Sequence, residues 1–121
     1  MQMSAIESVE AEIRRERAES LGRAGDRLEQ VLAEIRAHRG RLFLLAERWL
    51  AGQSGAHMTP AEIQTGLAKD AKLCERAREV RYQLVVQREA VGLLRHHEVD
   101  RHYSMPAALT LAGLLRRGTP R

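Results

Sequence analysis

Aromatic residues make up only 3% of this 121-residue chain, and glycine and proline are sparse within its long periodic segments. No run of strand-forming residues is longer than Leu84-Val85-Val86, and that one lies inside a helical pattern. A β architecture is thereby excluded. Alanine, leucine, glutamate and arginine dominate instead, as in helices stabilised by propensity and surface ion pairs. The fold class is all-α.

Cysteine is nearly absent too. Cys74 stands alone, so no intramolecular disulfide can form, and a reducing compartment is expected. No apolar run approaches the ~20 residues a membrane-spanning helix needs, and no basic-then-apolar leader pattern appears. These absences predict a cytoplasmic protein with no membrane partner. There is no glycine-rich phosphate loop and no Ser/His/Asp constellation. An enzyme is therefore the least favoured class, with no catalytic, cofactor-binding or metal-ligating residue and no cofactor expected. Lysine is confined to Lys69 and Lys72.

The net charge of +4 is unevenly spread. Residues 1–51 carry nine acids and nine bases, residues 52–104 seven and eight, and residues 105–121 three arginines with no acid. The basic excess is thus mostly a C-terminal tail, which ranks nucleic-acid binding through Arg116, Arg117 and Arg121 behind protein–protein interaction. Arg36, Arg39 and Arg41 form a second basic cluster, but acids on neighbouring turns weaken it as a phosphate site.

What the chain does have is a seam. Leu21, Leu28, Ile35, Leu42 and Trp49 form one row, and Ala24, Val31, His38 and Leu45 the other. This is an a/d pattern held over four heptads. It predicts a helix that must be covered by the rest of the chain or by a second copy, with Trp49 in the core and His38 as a satisfied or interfacial histidine. Ser4 with Glu7 reads as a capping box. The first helix is expected over residues 4–51, ended by Gly52 in a left-handed conformation. Gly22 and Gly25 are costly inside it, and predict either a kink or close approach by another helix.

A loop over residues 52–58 leads to the best start signal of the chain: Thr59 as cap, Pro60 in the first turn, Glu62 after it, with Met58 and Ile63 at staple positions. The second helix is expected over 59–100, its stripe running through Ile63, Leu67, Leu73, Ala77, Val80, Leu84, Val91 and Leu94. Asp70, Arg81 and Gln87 lie beside that stripe, with polar ends expected in water. Ser104-Met105-Pro106 marks the start of a short apolar helix over 105–117, followed by a tail over 118–121. The economical topology is a single domain, a long antiparallel hairpin with the short helix packed on it, dimerising into a four-helix bundle.

Two features carry candidate chemistry. The stretch His96-His97-Glu98-Val99-Asp100-Arg101-His102 would set His96 and Asp100, or Glu98 and His102, four apart on a helix. It lacks the His-Glu-x-x-His zinc signature, so helix-end capping and surface hydrogen bonds are its expected roles. Cys74 has no histidine at a fixed spacing and reads as a small buried hydrophobe.

Leu21-Gly22-Arg23-Ala24-Gly25 with Leu28-Glu29, and Gln87-Arg88-Glu89-Ala90 with Gly92, Arg95-His96, Val99 and Tyr103-Ser104-Met105-Pro106, resemble two patterns of a family of small, functionally uncharacterised all-helical bacterial proteins. The resemblance covers about a third of the chain. It implies a bacterial all-α protein, carries no activity, and draws attention to residues 87–106. Candidate interaction or structural-tie residues are therefore Leu28, Ile35, Leu42 and Trp49 in the seam, with Gln87, Arg88, Glu89, His96 and Tyr103 beyond it. The expected function is a non-enzymatic homodimeric interaction or scaffold module.

Overall fold

The computed structural model describes residues 4–52, 55 and 58–118. They form four α-helices and no strand: α1 (Ala5–Leu50), α2 (Pro60–Ala90), α3 (His97–His102) and α4 (Leu111–Gly118). Among the described residues, no helix is long and apolar enough to cross a membrane.

Local chemistry accounts for both starts of the long helices. The Ser4 N–H donates to Glu7 Oε2 at 3.1 Å, and the Glu7 N–H donates back to Ser4 Oγ at 3.2 Å. This reciprocal pair satisfies two backbone donors that a helix N-terminus leaves over. At α2 the Glu62 N–H donates to Thr59 Oγ1 at 3.1 Å, and Pro60 is the first helical residue. Met58 is buried there, and Ile63 packs on the same apolar cluster. Helix α1 stops where Gly52 takes φ +69°.

The second helix is shorter than its stripe suggests. It ends at Ala90, because Gly92 takes φ +87° and turns the chain. The Gly92 N–H donates to Glu89 O at 3.0 Å and the Leu93 N–H to Arg88 O at 2.9 Å, the paired bonds of a Schellman cap. Leu94, expected on the stripe, is accordingly 74% exposed. The short helix expected from 105 begins instead at Leu111. Its cap is Thr110, whose Oγ1 accepts the Gly113 N–H at 3.0 Å, and residues 104–110 are not helical.

The chain divides into two compact units. One comprises Met1–Gln30 with Arg78–Ser104, the other Val31–Ala77 with Met105–Arg121. In the first, Ala24, Leu28, Val80, Leu84 and Val99 are buried. In the second, Leu42, Ala46, Met58 and Leu114 form an apolar cluster with Phe43, Ile63, Leu67 and Leu109 packed against it.

The seam residues Leu28, Ile35 and Leu42 are buried within the single chain. The end of the seam is not: Leu45 and Trp49 are each 41% exposed, while Ala46 is fully buried. A straight helix turns about 20° away from a strict heptad row per repeat. Over four heptads the row therefore leaves the core face. Burial follows Ala24, Ile35 and Ala46 instead, an eleven-residue spacing that matches the true helical period.

Candidate functional site

The second unit holds its C-terminal segment with a buried ion pair. Asp70 lies one turn beyond Leu67 and one turn before Leu73 and Cys74 on α2, and is 0% exposed. It was expected to reach water. It is instead met by Arg39, the neighbour of His38 on α1, with Nε at 2.6 Å from Oδ1 and an Nη at 3.1 Å from Oδ2. The Leu109 N–H donates to Oδ2 at 2.7 Å, and the Arg39 guanidinium donates to the Ala107 carbonyl at 2.6 Å. The non-helical segment 104–110 thus finds partners for two backbone groups in one side-chain pair. This explains why helix formation waits until Leu111.

Cys74 is drawn into the same group. Arg39 lies 3.5 Å from its Sγ, and its thiol points at Asp70 Oδ2 across 3.7 Å. It is buried, but beside a charged pair and not in purely apolar surroundings. Burial pushes the Asp70 carboxyl upward, yet the hydrogen bonds from Arg39 and from the Leu109 backbone, with the Arg39 charge, hold it below the usual carboxylate range. The same bond to Asp70 raises the Arg39 guanidinium above its ordinary value. The Arg39 guanidinium is thus engaged with Asp70 and the Ala107 carbonyl. His38 is satisfied too, with Nε2 at 2.8 Å from the Gly66 carbonyl. A Cβ at Gly66 would come within 2.6 Å of a Leu42 methyl, so Leu42 would have to shift to admit one.

In the first unit the residues from 87 onward form a set of ties. Gln87 Oε1 accepts from Ser20 Oγ at 3.0 Å. Arg88 donates to the Arg95 carbonyl at 3.0 Å, and His96 Nε2 sits 3.1 Å from Glu89 Oε1. Arg81 makes two bonds to Asp100 Oδ1, at 2.7 and 3.1 Å. The break at Gly92 leaves His96 outside α3, so His96 and Asp100 do not share a helix and each has a different partner. Among the described residues, no group of three or more His, Cys, Asp and Glu side chains is arranged to hold a metal ion.

Tyr103 closes this unit against α1. A Cβ on Gly25 would meet its hydroxyl at 3.1 Å, whereas one on Gly22 would meet nothing within 4 Å. The close approach expected at these glycines is thus made by a tyrosine, and only at Gly25. Burial, then the charges of Glu29 and Asp26, raise the Tyr103 phenol above its usual value. Beside it lies an open cleft of about 710 Å³ between Leu21 and Gly22 of α1, Leu84 and Arg88 of α2, and Val99 and His102 of α3. Arg88 Nε and His96 Nδ1 are buried and have no hydrogen-bond partner among the described residues.

The arginines named for nucleic acid are only partly placed. Arg116 is exposed, while the Arg117 side chain and Arg121 lie outside the described residues. Trp49 lies off the core, as above. The Asp70–Arg39 pair is the tie that sequence reasoning missed. Its signal was a carboxylate on a stripe otherwise apolar, because a charge in such a place needs a buried partner. Comparison with known protein families, with curated proteins and with solved structures returned no match.

Proposed function

We propose that this chain is a non-enzymatic interaction module: an antiparallel hairpin of α1 and α2, clasped by its C-terminal segment, that associates with a second copy of itself. The hairpin reading is supported by pairs whose numbers fall along α1 as they rise along α2. In the second unit these are Arg39 with Asp70 and Glu34 with Arg76. In the first, Ser20 pairs with Gln87.

One observation carries the functional reading. Arg39, Asp70, Gln87, Arg88, Glu89 and His96 are engaged in ties within the chain, while Ile6, Val9 and Ile13 on α1 are 73%, 54% and 41% exposed. An apolar row at helical spacing, left open to water, is the mark of a protein contact. The seam at Leu28, Ile35 and Leu42 supplies the internal core, so the contact between copies is placed elsewhere. Light scattering on a sizing column, across protein concentration, tests the reading. A mass rising toward twice the 13.7 kDa of one chain supports it. A constant mass of one chain would sink it.

A further inference from the structure

The cleft beside Tyr103 lies wholly within the first unit, and its lining points to an occupant. Gly22 stands inside α1, where glycine is a poor helix former, yet a Cβ on it would meet nothing within 4 Å. The chain's own packing therefore makes no use of its small size. Gly25 differs, because the Tyr103 hydroxyl approaches it. The open space over Gly22 belongs to the cleft, whose walls at Leu21, Leu84 and Val99 are apolar.

The charges of the lining are left over in the same way. Arg88 enters from α2 and gives one Nη to the Arg95 carbonyl, while its buried Nε has no partner among the described residues. Asp26 enters from α1, near enough to Tyr103 that its charge, after burial and Glu29, helps to raise the phenol. Among the described residues neither Arg88 nor Asp26 has an ion-pair partner, and they do not pair with each other. Glu98 and Arg101 of α3 add one charge of each sign. The lining is thus neutral in sum and divided in sign. A simple anion meets two acids there, and a simple cation two arginines. A molecule with both charges on an apolar body meets a partner for each.

We propose that this cleft binds a short apolar zwitterion of dipeptide size, its carboxylate toward Arg88, its ammonium toward Asp26 and its side chains over Gly22, Leu84 and Val99. The volume of about 710 Å³ falls within the range of small-molecule sites. The site is independent of the self-association proposed above.

Leucylphenylalanine, titrated into the isotope-labelled full chain up to about 10 mM while amide shifts are followed by NMR, tests this. Saturable shifts are expected at Gly22, Leu84, Val99 and Tyr103. N-acetyl-leucylphenylalanine and leucylphenylalaninamide, each lacking one charge, bind about five- to tenfold more weakly, as one charged hydrogen bond is lost. Asp26 is exposed, so Asp26→Asn leaves the fold intact, and in it the free and N-acetyl dipeptides bind equally while the amide stays weaker. In Arg88→Gln the free and amide forms become equal instead. Gly22→Leu fills the space over the helix and removes binding at an unreduced urea midpoint. Because Arg88 also holds the Arg95 carbonyl, the Asp26 and Gly22 variants carry the test should Arg88→Gln loosen the fold. Absence of saturable shifts, or shifts confined to other residues, overturns the site. Equal affinity of the wild type for all three dipeptides, or unaltered binding by Gly22→Leu, overturns it as well.

Discussion

Asp70 and Arg39 show how one buried pair can organise a segment far along the chain. The carboxylate takes donors from Arg39, from the Leu109 backbone and from Cys74. Removing one partner of such a pair leaves an uncompensated charge, at a cost of about 3–5 kcal/mol for a fully buried pair. Arg39 is 20% exposed, which places Arg39→Met near the lower end of that range, as read from the urea midpoint. Replacing both partners by Asp70→Leu/Arg39→Met costs less than Arg39→Met alone. The folded Asp70 value lies below the unfolded one, so the pair's contribution is fully present above the ordinary carboxylate value of about 3.9. It fades as pH falls through the lowered folded value, because the unfolded state there binds more protons. In Asp70→Asn that part of the acid limb is absent, which a urea series across acid pH would show.

Gly22 and Gly25 separate two effects at the same scale. Gly22→Ala has free space and should stabilise by about 0.5–1 kcal/mol through helix propensity. Gly25→Ala gains the same propensity but crowds the Tyr103 hydroxyl, so its net effect is smaller or unfavourable. A thermodynamic cycle with Tyr103→Phe recovers the gain in the Gly25→Ala background. Equal effects of the two alanines would mean that Tyr103 yields without cost.

At the scale of elements, ends matter more than interiors. The starts at Ser4 and Thr59 and the stop at Gly52 were legible, because capping chemistry involves residues only a few places apart. The stop at Gly92 was equally local, a glycine just past a periodic run, but the apolar residues after it masked the signal. Gly92→Ala should cost about 1 kcal/mol, because a side chain is disfavoured at its positive φ. Thr110→Ala should cost a similar amount through loss of the α4 cap. Thermal unfolding reads both. If Gly92→Ala were stabilising, α2 would be extending past its cap, and the stop would not be set by glycine.

For the whole molecule, the same kind of substitution has opposite meanings at two places on α1. Leu28 is 0% exposed, and Leu28→Asp puts an unpaired carboxylate into the core, so it should unfold the chain or shift its midpoint severely. Ile13 is 41% exposed, and Ile13→Asp should change unfolding by less than about 0.5 kcal/mol. Urea denaturation of the two variants side by side checks the distinction. Similar losses at both positions would mean that Ile13 already carries part of the internal core.

The sequence by itself determined the helical class, the two long helices with both their starts, and the central core residues from Ala24 to Leu42. Each of these depends on composition, on short-range capping or on a period of a few residues. It could not show that Leu45 and Trp49 leave the core, since a heptad row and the true helical period separate only over several turns. The tertiary structure alone decided that Asp70 meets Arg39 and that this pair holds Ala107 and Leu109. It also decided that Tyr103 lies against Gly25. Those partners are 31 to 78 positions apart, and no local pattern records which distant donor will satisfy a buried acceptor. Burial sets the demand for a partner locally, while only the packed chain supplies it.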